Sequence, residues 1–135
     1  MIDAQSFFTA RLAFQTDVAD VHAAMAEPGT FVLVDARNPQ AFGQGHIPGA
    51  RNVPYNQLFD AASGEMKPLE DLRAAFTSAG VKLDAPIVTS CGSGVSAGVL
   101  TLALYRLGIA ETALYDGSWS EWGREGGPAI ATGAA

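Results

Sequence analysis

Cysteine is almost missing from this sequence of 135 residues: Cys91 is the only one. A single thiol excludes an intramolecular disulfide and any Cys-x-x-Cys metal or redox pair. It also leaves no resolving cysteine, so a covalent intermediate on Cys91 needs an external acceptor. A free thiol is easiest to keep in a reducing compartment. Long apolar runs are missing too, and none approaches the ~20 residues of a membrane span. Met1–Gln5 lacks a basic stretch leading into an apolar core, so no signal peptide is expected and the expected location is cytoplasmic. Positive charge is in deficit, with 8 Lys and Arg against 14 Asp and Glu, a net charge of −6. That balance argues against nonspecific nucleic-acid binding. Neither nucleic acid nor a membrane is therefore expected as a partner.

What is present is the composition of a compact globular chain, 48% hydrophobic and 16% charged. The expected organisation is one domain over residues 1–135. A chain of this length buries roughly 65–70% of its unfolded surface, enough to fold without a metal or disulfide.

Ala4, Phe7, Phe8 and Leu12 predict a short first helix by their spacing. Thr16-Asp17 caps a second helix through Val18, Val21, His22 and Met25, stopped by Pro28-Gly29. Phe31-Val-Leu-Val-Asp35 is near-continuously apolar and β-branched, the pattern of a strand buried on both faces of a parallel sheet. Asn38-Pro39 starts a short helix through Phe42, and Ala50–Val53 predicts a short strand before a helical turn over 55–60. Leu69, Leu72, Ala75 and Phe76 mark a helix from about Pro68 to Ala79, ended by Gly80. Pro86–Ser90 and Thr112–Tyr115 are further strands, separated by an apolar helical pattern from Ala97 to Leu107. Trp119 and Trp122 share one face of a last short helical piece, and the small residues from Ile130 onward are expected to fray. Strands alternating with helices imply an α/β fold with a parallel sheet and helices on both faces. Sites in such sheets lie beyond the carboxyl ends of the strands. Asp35 and Cys91 both end strands, which puts them in one crevice.

Cys91 opens a glycine-rich turn, Cys91-Gly92-Ser93-Gly94-Val95-Ser96, between a strand and a helix. Gly92 and Gly94 let the backbone curl around the sulfur, so that several N–H groups form a nest for an anion at the positive end of a helix. Ser93 and Ser96 add hydroxyls. Such surroundings favour thiolate, the nucleophilic form. The bland alternative is a lone cysteine acting as a small buried hydrophobe. A phosphate-binding turn is a second alternative, but the third glycine of the dinucleotide fingerprint is missing and no Gly-Lys-Ser/Thr follows. A cysteine phosphatase needs an arginine six positions after its nucleophile to clamp phosphoryl oxygens. That position is Ala97.

Other polar candidates are fewer. His46, in a Gly-flanked loop, is the candidate base, whereas His22 reads as a helix-face residue. Asp35 and Arg37 stand two apart, on the same side of a strand end. Asp35 suits loop fixing as well as chemistry, Arg37 suits the pocket mouth, and Arg51 is a weaker anion anchor.

Phe31-Val-Leu-Val-Asp-Ala-Arg37, Gly45-His-Ile-Pro-Gly-Ala-Arg-Asn52, Cys91-Gly-Ser-Gly-Val-Ser-Ala97 and Tyr115-Asp-Gly-Ser-Trp-Ser-Glu-Trp122 together resemble the rhodanese-like sulfurtransferases, in order and spacing, over about residues 13–127. The cysteine loop is similar to that of 3-mercaptopyruvate sulfurtransferases, while thiosulfate-preferring rhodaneses usually carry basic residues there. The resemblance implies a rhodanese-like α/β fold with a central, mostly parallel sheet flanked by helices. It implies an enzyme whose Cys91 thiolate takes sulfane sulfur from thiosulfate, 3-mercaptopyruvate or a persulfide. The resulting persulfide passes its sulfur to cyanide or a thiol, without metal or organic cofactor. Gly92, Ser93, Gly94, Val95 and Ser96 cradle the anion. The alternative role is a non-turnover sulfur-carrier or binding module that receives sulfur from a protein partner, and a protein is also a candidate sulfur acceptor.

Two departures from the pattern stand out. The mercaptopyruvate enzymes usually have two such domains, and this chain resembles their C-terminal half. They also bind substrate carboxylate with arginines after Asp-Ala-Arg. Here Asn38–Gly45 has no arginine, and Ala41 stands at the first of those positions.

Overall fold

The computed structural model describes residues 3–12, 15–27 and 29–134. Its strands are β1 (Gln15–Thr16), β2 (Val32–Asp35), β3 (Arg51–Asn52), β4 (Ile87–Ser90) and β5 (Thr112–Tyr115). They form one sheet of order β1-β5-β4-β2-β3, and every pairing is parallel. The helices are α1 (Ala4–Leu12), α2 (Val18–Ala24), α3 (Pro39–Gln44), α4 (Leu69–Ser78), α5 (Ala97–Arg106) and α6 (Ser118–Trp122), with a 3₁₀ turn at Tyr55–Leu58. The side chains of Phe7, Phe8 and Leu12, on which the first-helix expectation rests, lie outside the described residues, as does Pro28.

The apolar run of β2 is buried on both faces, as the sequence pattern requires. Val34 packs into a cluster with Leu72 and Phe76 of α4 and Leu100 and Leu104 of α5. Leu33, one residue earlier and pointing the other way, packs with Val21 of α2, Phe42 of α3 and Trp122 of α6. Helices therefore cover both faces. Each fully buried Leu or Phe contributes about 1.5–3 kcal/mol relative to exposure.

Local chemistry sets the helix starts. The carboxylate of Asp17 accepts the Asp20 N–H at 2.9 Å and caps α2. Asn38 accepts the Ala41 N–H at 2.8 Å, with Pro39 in the first turn, and caps α3. Each such cap is worth about 1 kcal/mol.

Two features depart from the sequence expectation. β1 is a two-residue strand pairing Gln15 with Leu114 and Thr16 with Tyr115, too short to carry a period. The C-terminal segment, expected to fray, is docked. Ala131 and His46 exchange backbone hydrogen bonds of 2.9 Å each, and the Gly133 N–H donates to the Gly43 carbonyl at 2.8 Å. Small side chains let this backbone approach another closely, a property that composition alone reads as looseness.

The register aligns the carboxyl ends of β2 and β4. Asp35 of β2 lies opposite Ser90 of β4, and the Ala36 N–H donates to the Ser90 carbonyl at 2.8 Å. The two strands thus end level, and Cys91 emerges at the carboxyl edge of the sheet.

Candidate active site

Cys91 leaves β4 and turns at once into the loop that leads to α5. Its Sγ accepts the N–H of Gly94 at 3.0 Å. Gly94 is the required residue at that point. Its φ is +85°, and a Cβ there would lie 2.5 Å from the Asp116 carbonyl oxygen. α5 begins without a side-chain cap, because Ser96 makes no hydrogen bond to the first turn. The positive end of a ten-residue helix thus opens on the cysteine loop.

The sulfur is less open than expected. Cys91 is 2% exposed and packs in the α4–α5 cluster beside Ala36, Ala97 and Leu100. Gly94 is its sole backbone donor among the described residues, rather than one of a ring. The loop shows its outer side to solvent instead, with Val95 79% exposed. The residue is packed like a hydrophobe yet keeps an amide on its sulfur.

Ser118 is the residue that sequence reasoning missed. It lies 27 positions after the cysteine, inside the Tyr115–Trp122 motif, and was given no role of its own. It is fully buried and has φ +50°, the one non-glycine positive φ among the described residues. Its Oγ accepts the Cys91 N–H at 3.0 Å and donates to the Tyr115 carbonyl at 2.7 Å, with Cys91 Sγ at 4.0 Å. α6 is then tied across the loop, since the N–H groups of Trp119 and Ser120 donate to the carbonyls of Cys91 and Gly92, both at 2.9 Å. The Ser120 hydroxyl donates to the Gly92 carbonyl as well, at 2.6 Å. The available sequence signal was a serine at a helix start, which marks a cap and not a partner strand.

Asp35 and Arg37 meet, but as a lock. The Arg37 Nε lies 3.1 Å from both carboxylate oxygens, and its Nη2 donates to Oδ2 at 2.8 Å and to the Gly45 carbonyl at 2.8 Å. The guanidinium also stacks on Trp119, 4.7 Å from the ring centre. Asn52, also unforeseen, adds hydrogen bonds from its amide to the carbonyls of Asp35 and Arg37, at 3.0 and 2.8 Å. These contacts occupy the arginine that was expected at the pocket mouth.

The remaining candidates lie apart from the sulfur. His46 is buried, its Nδ1 donates to the Phe42 carbonyl at 2.8 Å, and its ring stacks on Phe42 with centres 3.8 Å apart. Among the described residues no hydrogen bond joins it to Cys91. Arg51 is exposed, its guanidinium beside the Gly80 turn that ends α4. A surface hollow of about 510 Å³ between α4 and the 3₁₀ turn, lined by Gln57, Lys67, Asp71 and Ser78, holds none of the candidate residues. Among the described residues no group of three or more His, Cys, Asp or Glu side chains could hold a metal ion, and no helix is long and apolar enough to cross a membrane.

This geometry, a cysteine at a parallel strand end with a Gly-x-Gly turn into an uncapped helix, has counterparts. The rhodanese-like domain family matches residues 17–125. The chain belongs to that family. Over 117 residues it is 44% identical to the 3-mercaptopyruvate sulfurtransferase of Escherichia coli (strain K12), a match covering 78% of this chain and 41% of the relative. It is 36% identical over 130 residues to the thiosulfate sulfurtransferase of Gallus gallus, covering 88% of this chain and 44% of the relative. The crystal structure of SseA, a 3-mercaptopyruvate sulfotransferase from Escherichia coli, superimposes with a TM-score of 0.70 at 44% identity, over 79% of this chain and 42% of the other. The fold is the rhodanese fold. This rhodanese-like chain spans less than half the length of these relatives.

Proposed function

We propose that this chain transfers sulfane sulfur through a persulfide on Cys91. One observation carries the reading: the only sulfur nucleophile in the chain ends a parallel strand and accepts the Gly94 N–H at 3.0 Å, at the mouth of an uncapped helix. Dipole and amide favour negative charge at that point. With thiosulfate as donor, the Cys91 thiolate attacks the outer sulfur. A Cys–S bond forms, the S–S bond of the donor breaks, and its electron pair leaves with sulfite. The backbone of the loop from Gly92 to Ser96 cradles the persulfide anion. A thiophile such as cyanide then bonds to the terminal sulfur, and the Cys–S electron pair returns to Cys91 as thiolate.

Thiosulfate, 3-mercaptopyruvate and a persulfide all suit this chemistry. The relatives' names include the first two. No arginine stands in Asn38–Gly45, and Arg37 is held by Asp35, so this chain offers no free guanidinium there for a donor carboxylate. Phosphoryl transfer is disfavoured by Ala97, which replaces the clamp arginine.

A second reading has its own observation. With no arginine in Asn38–Gly45 to hold a small donor's carboxylate, the chain suits a carrier that takes sulfur from a docked protein. A donor panel of thiosulfate, 3-mercaptopyruvate and glutathione persulfide, scored by intact mass, separates the two. One added sulfur from a small donor, lost on treatment with cyanide or dithiothreitol and absent in Cys91→Ser, is the expected result. Equal uptake by Cys91→Ser refutes both readings, and uptake only from a protein donor selects the carrier.

A further inference from the structure

Ser118 has more hydrogen-bonding structure around it than a turn residue needs. It is fully buried and holds φ +50°, a left-handed conformation that non-glycine residues rarely adopt. Strain of this kind persists only where the surroundings over-determine it, and it gathers at functional sites. Its Oγ touches three parts of the site: the Cys91 N–H at 3.0 Å, the Tyr115 carbonyl at 2.7 Å and Cys91 Sγ at 4.0 Å. A hydroxyl has one proton to give. With a neutral thiol beside it, the proton belongs on the nearer and better acceptor, the Tyr115 carbonyl. An ionised sulfur is a stronger acceptor, and hydrogen bonds to charged groups are roughly twice as strong as neutral ones.

We propose that Ser118 is a switchable donor to the nucleophile, its hydroxyl turning from the Tyr115 carbonyl to Cys91 Sγ when the sulfur carries charge. It joins the Gly94 amide as a second donor, from another element and the opposite end of the motif series. The inference rests on the sulfur-transfer reading, since a charged sulfur is what gives the switch a purpose. No bond is made or broken; one O–H rotates and the proton stays on oxygen. The backbone supports this arrangement, because the same Oγ accepts the Cys91 N–H and so keeps the hydroxyl beside the nucleophile in either state.

The charged groups on the surrounding elements do not substitute for it. The loop from Cys91 to Ser96 has no charged residue, and α5 has no acidic side chain in its first turn. Asp116 lies against Gly94, Glu121 accepts the Tyr115 hydroxyl at 2.7 Å, and Asp35 is paired with Arg37. Three of these four side chains are acidic, and the arginine is already engaged.

Ser118→Gly removes the hydroxyl and suits the positive φ, so it separates the donor from the backbone strain. Ser118→Ala is the companion variant. Alkylation of Cys91 by iodoacetamide at fixed pH, followed by intact mass against time with Cys91→Ser as blank, reads the reactivity of the one thiol in the chain. The expected result is alkylation slowed about three- to tenfold in both variants. A rate in Ser118→Gly that matches wild type overturns the proposal, as does slowing in Ser118→Ala alone, which would assign the effect to strain. The assay involves no sulfur donor, so failure of wild type to load sulfur refutes the transfer reading separately.

Discussion

Gly94→Ala tests the site most directly, because one substitution strikes the amide that touches the sulfur. At φ +85° an alanine costs roughly 1–2 kcal/mol from the backbone alone. Its Cβ would also lie 2.5 Å from the Asp116 carbonyl oxygen and 3.0 Å from Oδ1, both too close, so the loop or β5–α6 must shift. The shift moves the N–H that stands 3.0 Å from Sγ. A hydrogen bond to a charged group is worth about 1.5–3 kcal/mol, so losing it disfavours negative charge on the reacting sulfur roughly ten- to a hundredfold. Sulfur uptake from limiting thiosulfate, followed by intact mass against time, should slow by that factor. Gly92→Ala is the matched control. A Cβ at Gly92 meets nothing within 4 Å and needs no positive φ, so its uptake should stay within about threefold of wild type. Wild-type uptake by Gly94→Ala would refute the role of the loop amide, and an equal loss in both variants would refute the steric argument.

Further predictions follow from the surroundings of the site. Arg37→Ala leaves the buried carboxylate of Asp35 without its guanidinium, and denaturant melts should show a loss of about 3–5 kcal/mol, relieved in part by adding Asp35→Asn. His46→Gln should load sulfur at near wild-type rate, because its ring contacts Phe42; a loss of uptake with an unchanged melt would restore it as a base. Burial, then the hydrogen bond to Glu121 and the charge of that carboxylate, pushes the Tyr115 phenol above its ordinary 10.0. Above pH 10 the unfolded chain therefore releases a proton that the folded one keeps, so stability falls as pH rises. Tyr115→Phe should flatten that alkaline fall in a series of melts. The amides of His46 and Ala131 should exchange with solvent more slowly than those of an unpaired terminus, and truncation after Ala129 should abolish the protection at His46.

The sequence by itself determined the features set by near neighbours. The apolar run of β2, the Asn38 and Asp17 caps and the stop at Gly80 each act over at most four residues, so pattern and propensity reach them. The α/β alternation follows from these, and with it the expectation that Cys91 ends a strand and faces a helix. What only the tertiary structure decided lies in contacts between distant segments. Ser118 reaches Cys91 because β5 lies beside β4, and no local pattern encodes that adjacency. Arg37 is locked because α6 brings Trp119 over its guanidinium while Gly45 offers a carbonyl from below. The docked tail and the burial of His46 arise in the same way, each through the other, as their backbones pair. Polar side chains are the least legible in sequence, since their role depends on which partner comes within about 3 Å, and chain order alone does not specify that distance.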